Sequence, residues 1–151
     1  MIMILDSDLY KKVMENMPVV CVDAVIMNEL GEYLLVKRKN EPLKNKFWMV
    51  GGRLHKNELT NDAIKRKIKE EAGIENGVIK YLGHFEEFFE KTEQKIKGNF
   101  HSISFVYFVF VDSKSNIKID KQSSEYKWVK KLPKIFDKYL PWLEFEKVIR
   151  I

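Results

Sequence analysis

The sequence predicts a single α/β (α+β) domain built on a mixed β-sheet. Three observations point there. Runs rich in β-branched and aromatic residues outnumber helical stretches. The helices interrupt the strands irregularly, where a doubly wound parallel sheet would alternate them. The length, 151 residues with no repeat, low-complexity tract or linker, suits one domain over residues 1–151, and a chain of that size buries roughly 70% of its unfolded surface.

The elements follow in order. Asp6 to Met17 predicts a helix, capped by Asp6 or Ser7, with Leu9, Val13 and Met17 on one face and Pro18 ending it. Val19 to Met27 is a valine-rich strand containing Asp23. Asn28 to Gly31 is a turn, and Glu32 to Lys37 returns as the second strand of a hairpin. Asn40 to Asn45, with Pro42, is a loop. Phe47 to Val50 is a short strand broken by Gly51-Gly52, and Arg53 to Glu58 is a loop. Leu59 to Ala72 is the clearest helix, stopped by Gly73. Val78 to Phe89 and His101 to Val111 are strands around a charged loop, Glu90 to Gly98. Tyr126 to Val129 is a short strand, and a helix follows Pro133 with a break at Pro141.

Composition narrows the function classes. With 45% hydrophobic and 32% charged residues the chain is not disordered. No apolar run approaches the ~20 residues of a membrane span, and the N-terminal MIMIL is too short for a signal peptide. Cys21 is the only cysteine, which excludes intramolecular disulfides and Cys-based zinc sites and fits a reducing, cytoplasmic setting. The net charge of +5 comes mostly from dispersed lysines. Charge alone describes a solvated surface, and no aromatic-basic pattern supports a nucleic-acid partner.

The chemistry lies in Gly51 to Ile74, GGRLHKNELTNDAIKRKIKEEAGI. At 100° per residue Ile64, Ile68 and Ala72 form a core stripe, with Arg66, Lys67, Glu70 and Glu71 on another face. Glu/Lys content alone would describe an exposed helix with i,i+3 and i,i+4 pairs. Glu70 and Glu71, with Glu58 at the helix start and the Gly52 carbonyl, are also hard oxygen donors suited to Mg²⁺, with Mn²⁺ as an alternative. The spacing of Gly52, Glu58, Arg66, Ile68, Glu70-Glu71 and Gly73-Ile74 resembles the Nudix box. A chance match at those positions is on the order of one in a million.

The resemblance to Nudix hydrolases implies an α/β/α sandwich on a mixed sheet. The box ordinarily carries Glu directly after its Arg. Here that residue is Lys67, i,i+3 from Glu70 and i,i+4 from Glu71, so the charge count favours one Mg²⁺ over several. Loss of that Glu is typical of the GDP-mannose mannosyl hydrolase branch, which cuts the sugar C–O bond. The N-terminal DSDLYKKVMENMPVVCVDAVI, GEYLLVKRKNEP, FWMVGGRL and DKQSSEYKW stretches resemble that branch too.

The resemblance implies a metal held by the Gly52 carbonyl, Glu71 and Gln122, with Glu70 beside them. It further implies Arg38 and Arg53 on the diphosphate and Asp23 at the substrate end. The branch places its general base, a His, where this chain has Ser123. His101, Glu125 and Asp120 are the substitutes, His101 first because imidazole titrates in the right range. His55 and His84 have weaker claims. The expected function is Mg²⁺-dependent hydrolysis of a nucleoside diphosphate sugar, GDP-mannose-like, to GDP and free sugar. The alternatives are pyrophosphate cleavage of another nucleoside diphosphate derivative and non-catalytic nucleotide-sugar binding. The branch forms dimers, and the apolar Met1 to Leu5 segment is expected to be buried in a homodimer interface.

Overall fold

Strand β1 (Val19–Asn28) runs through the middle of the sheet, and its composition explains why. Ala24 to Asn28 are all buried, so both faces of the strand meet protein. It pairs parallel with β6 (Phe100–Val111) along its whole length, from Val19↔Ser102 to Asn28↔Val111. It pairs antiparallel with β2 (Tyr33–Arg38) and β4 (Val50–Arg53). Strand β5 (Val78–Phe89) lies on the other side of β6, while β3 (Phe47–Trp48) and β7 (Ser123–Val129) both pair with β2. One parallel pair among antiparallel ones makes the sheet mixed, as the sequence predicts. These descriptions come from a computed structural model that describes residues 5–143.

Different elements cover the two faces. Ile64, Ile68 and Ala72 of α2 (Thr60–Ala72) pack with Val22, Ala24 and Ile26 on one face. On the other, Phe136 and Tyr139 of a 3₁₀ helix (Lys134–Tyr139) pack with Val25, Trp48 and Phe108. Successive β1 residues thus enter opposite cores, as a period of two requires. A third, small cluster of Met14, Val19 and Phe100 seats α1 (Ser7–Asn16).

Helix α1 begins as expected, with the Asp6 carboxylate accepting the N–H groups of Asp8 and Leu9 at 3.0 and 2.9 Å. Its buried stripe differs. Leu9 and Met17 are exposed, Met14 is buried, and Tyr10 and Val13 pack against the third cluster. Both stripes have helical spacing; contact with Phe100 selects the second.

A larger correction concerns Gly51-Gly52. These glycines do not break a strand; they lie within β4, with Asp23 opposite Gly51 and Val22 opposite Gly52. A Cβ on Gly51 would overlap Asp23 Oδ1 and come 2.5 Å from the Val22 carbonyl oxygen. One on Gly52 would come 2.8 Å from Lys67 Cε. Close approach of the β1 backbone, not a turn, is what requires glycine at Gly51, and at Gly52 the end of Lys67 fills the open space. Smaller differences fall at element ends. β6 starts at Phe100, β7 starts at Ser123, and Leu59 is the N-cap of α2. Pro141 does not break the C-terminal segment; it sits in a helical turn, 140–143, that continues directly from the 3₁₀ helix. At a first turn the missing N–H is tolerated. Met1 to Ile4, most of the expected dimer segment, lie outside the described residues.

The glycine geometry sets an order of stabilities. Gly51→Ala is expected to lower the unfolding free energy by ~2–3 kcal/mol through overpacking. Gly98→Ala, with nothing within 4 Å and a φ of 79°, costs only the left-handed penalty, ~1 kcal/mol. Urea denaturation of both variants checks that order.

Candidate active site

A cleft of about 650 Å³ opens between α1, β4 and the last turns of α2. It is lined by Asp23, Arg38, Gly52, Arg53, Glu70, Glu71 and Gln122; of the residues singled out from the sequence for metal and substrate, Glu58 and His101 do not line it. The β1–β4 pairing brings Asp23 and the glycines together, and α2 lays its polar face over β4.

The carboxylates of the box are held by cations of the chain itself. Arg66 grips Glu58 with two hydrogen bonds, Nε to Oε1 at 2.7 Å and Nη2 to Oε2 at 2.9 Å. It also donates to the Arg53 carbonyl at 3.1 Å and to Glu70 Oε2 at 3.2 Å. Glu58 further accepts the His55 N–H at 3.0 Å. The Arg66 hydrogen bonds hold the Glu58 carboxyl down at about 2. Glu58 therefore fastens the loop before α2 to the helix.

Lys67 and Glu71 share the buried side of this arrangement. They are only 8% and 6% exposed, because β4 covers the face that the sequence separates from the Ile64–Ile68 stripe. The Lys67 ammonium lies 2.5 Å from Glu71 Oε1 and 3.4 Å from Glu70 Oε2. Glu71 Oε2 accepts the Gly51 N–H at 3.3 Å. Burial pushes the Glu71 carboxyl above its usual range, and Lys67 opposes that rise.

Asp23 receives a hydrogen bond from the Ser104 hydroxyl. Desolvation nevertheless pushes its carboxyl up to about 6; Ser104 opposes the shift, Glu87 and Glu71 add to it, and Arg38 offsets part of it. Arg53 stacks its guanidinium on the Tyr10 ring, 3.8 Å from the ring centre, and its Nη1 is buried without a hydrogen-bond partner. Arg38 is anchored by Nε donating to the Pro42 carbonyl at 2.7 Å. Tyr10, missed in the sequence, is a cleft residue; its i,i+3,i+4 spacing with Val13 and Met14 is the signal that could have found it.

The residues weighed as a base separate clearly. His101 does not line the cleft. Its neighbours Phe100 and Ser102 do, so strand alternation turns His101 to the opposite face, where it stacks on Phe88 with ring centres 4.4 Å apart. Glu125 pairs with Lys37 at 2.7 Å outside the cleft. His84 is exposed on β5. Asp120 is spent on the Gln122 N–H at 3.0 Å. Ser123 is buried opposite Arg38. His55 does line the cleft; burial and Arg66 hold it below its usual value, and its Nδ1 is buried without a hydrogen bond.

The donor chemistry fits one divalent cation. Carboxylate oxygens of Glu70 and Glu71 share the cleft with Gly52 and the exposed Gln122 amide. Among the described residues no three acidic, His or Cys side chains converge into one group, so the backbone carbonyl and the amide are needed to complete a donor set.

The cleft, bordered by the paired glutamates of the box on a mixed sheet covered on both faces, matches a known family. The NUDIX domain family matches residues 17–132, and this chain belongs to that family. Low-salt glycan biosynthesis protein Agl8 of Haloferax volcanii is 33% identical over 121 residues, covering 80% of this chain and 76% of its own. ADP-ribose pyrophosphatase of Methanocaldococcus jannaschii is 31% identical over 118 residues, covering 78% and 66%. The crystal structure of the MutT protein from Methanosarcina mazei Go1 shares the fold, with a TM-score of 0.68 at 24% identity, covering 86% of this chain and 96% of that one.

Asp23 gives the site a pH signature. Its carboxyl sits near 6 when folded and near 3.8 when unfolded, so the folded state binds the proton more tightly. Stability from this group is complete below pH 4 and is lost as pH rises through 6, a decline of ~3 kcal/mol. Asp23→Asn is expected to remove that decline. Unfolding free energies of both proteins between pH 4 and 8 check it; parallel curves would contradict the assignment.

Proposed function

We propose that this protein hydrolyses a nucleoside diphosphate sugar, GDP-mannose-like, by cleaving the sugar C–O bond and releasing nucleoside diphosphate and free sugar. One observation carries the reading: Arg53, whose Nη1 is buried without a hydrogen-bond partner, lines a cleft that also holds Arg38 and the glutamates Glu70 and Glu71 of the box. A guanidinium so placed suits a diphosphate, whose oxygens its planar fork can engage. The Haloferax relative's name, a glycan biosynthesis protein, supports a sugar-bearing substrate.

In this reading Arg53 and Arg38 bind the diphosphate and stabilise the charge that grows on it as the C–O electron pair departs. Tyr10 holds the Arg53 plane in place. Asp23 orients the sugar end. With His101 on the other face, the proton of the attacking water goes to a cleft acceptor, Asp23 or the neutral His55. Gly52, Glu71, Gln122 and Glu70 are the residues that would hold Mg²⁺ or Mn²⁺, which supplies charge neutralisation to the leaving diphosphate. We assign the chain to a homodimer closed by Met1 to Leu5; light scattering with and without that segment tests it.

The second reading is pyrophosphate cleavage, favoured by the relative that is an ADP-ribose pyrophosphatase. Turnover in ¹⁸O-water with a panel of nucleotide sugars and ADP-ribose separates the two. Label in the sugar supports C–O cleavage, and label in a phosphate replaces it with the second reading. Absence of divalent-dependent turnover on the whole panel leaves a binding protein. Glu71→Gln is expected to reduce turnover at least ~100-fold while the melting curve stays cooperative, because Gln keeps the shape and can still accept the Gly51 N–H. Wild-type turnover in that variant would remove Glu71 from the site.

A further inference from the structure

We infer that Lys67 is a tethered cation for the substrate's diphosphate, so that this chain binds nucleoside diphosphates without a divalent ion. The inference rests on the reading above that the ligand carries a diphosphate.

Position comes first. The Lys67 ammonium contacts Glu71 at 2.5 Å and Glu70 at 3.4 Å. Its terminal methylene packs so closely on Gly52 that a Cβ there would lie 2.8 Å away. Glu71, Glu70 and Gly52 are three of the four residues assigned to the ion. Lys67 and an ion therefore draw on the same oxygens.

Donor inventory comes second. An ammonium has three N–H donors. Two are directed to Glu71 and Glu70, and the third has no protein acceptor among the described residues, although Lys67 is 8% exposed and borders the cleft. Arg53 Nη1 in the same cleft is likewise buried and without a partner. Leaving a buried donor such as Nη1 unsatisfied is costly. With the third Lys67 N–H on the same cleft, an anion with several oxygens can engage both.

Charge comes third. Arg38, Arg53, Arg66 and Lys67 border the cleft together with the carboxylates of Asp23, Glu41, Glu70, Glu71 and Glu93, so without Lys67 the acidic groups would dominate it. Lysine where the box ordinarily has glutamate changes the local charge by two, which is the charge of a divalent cation. A diphosphate entering beside a glutamate at 67 would need an ion to offset the repulsion; beside Lys67 it does not. When an ion does bind, it competes with the ammonium for Glu71.

Calorimetric titration of the full chain with GDP, ADP and UDP, in EDTA and then in Mg²⁺, tests this. The wild type is expected to bind at least one of them in EDTA within about tenfold of its affinity in Mg²⁺. Lys67→Met, similar in length without the charge, is expected to weaken binding in EDTA at least ~10-fold and to recover it with Mg²⁺. Without nucleotide, the same variant is expected to bind Mn²⁺ more tightly in an electron paramagnetic resonance titration, because its donors are released. Nucleotide binding by the wild type only in Mg²⁺ overturns the inference and leaves the substrate class standing. So does an unchanged EDTA affinity in a folded Lys67→Met. Failure of all three nucleotides in both conditions overturns the substrate class and this inference with it. The wild-type comparison needs no variant, so misfolding of Lys67→Met does not decide the outcome.

Discussion

Two adjacent glycines let a strand, a helix and a buried carboxylate meet within one side chain's thickness. β4 lies against β1 at Asp23 because Gly51 has no Cβ, and the end of the Lys67 side chain occupies the space that a Cβ on Gly52 would take. From that contact the Gly51 N–H reaches Glu71, Lys67 extends over Gly52, and Arg53 emerges at the end of β4 facing Tyr10. The polar face of an otherwise ordinary amphipathic helix is thereby turned into one wall of a cleft. Energetically the arrangement is demanding, since each buried charge must find a partner or shift its proton affinity. Lys67 and Glu71 found each other, and Lys67 offsets part of the rise that burial imposes on Glu71; Asp23, with only a hydroxyl donor, shifted to about 6.

Arg66 provides the second level of order. A single guanidinium joins Glu58, Glu70 and the Arg53 carbonyl, tying the loop before α2, the last turn of α2 and the end of β4 together. The planar fork makes this possible where a lysine would offer one point of charge. Because one group satisfies three elements, its members stand or fall together. The consequence for the cleft is rigidity on the box side, while the cleft-lining cations Arg53 and Lys67 retain a donor each.

Much of this was legible in the sequence. The Gly52–Glu58–Arg66–Glu70–Glu71 spacing located the helix, its core stripe and the family, and the valine-rich β1 marked the centre of the sheet. The mixed sheet followed from the irregular order of strands and helices. What failed did so for identifiable reasons. His101 alternates with two residues that are themselves buried, so hydrophobic pattern gave no indication of which face it takes. Gly51-Gly52 looks like a break because close packing and tight turns ask for the same residue. Tyr10 was overlooked because Leu9, Val13 and Met17 form an equally periodic stripe, and only the position of Phe100 decides between them. That Lys67 would be buried was invisible to a helix wheel, which shows the helix and not the strand lying over it.

Helix α1 precedes the segment shared with the family, residues 17–132, yet it supplies Tyr10 to the cleft wall and rests on its own small cluster of Met14, Val19 and Phe100. The cleft wall is therefore split between the matched segment and a helix outside it. A substitution on α1 that removes the Tyr10 ring alters the surface around Arg53 while leaving the box, the glycine contact and the two larger cores as they are.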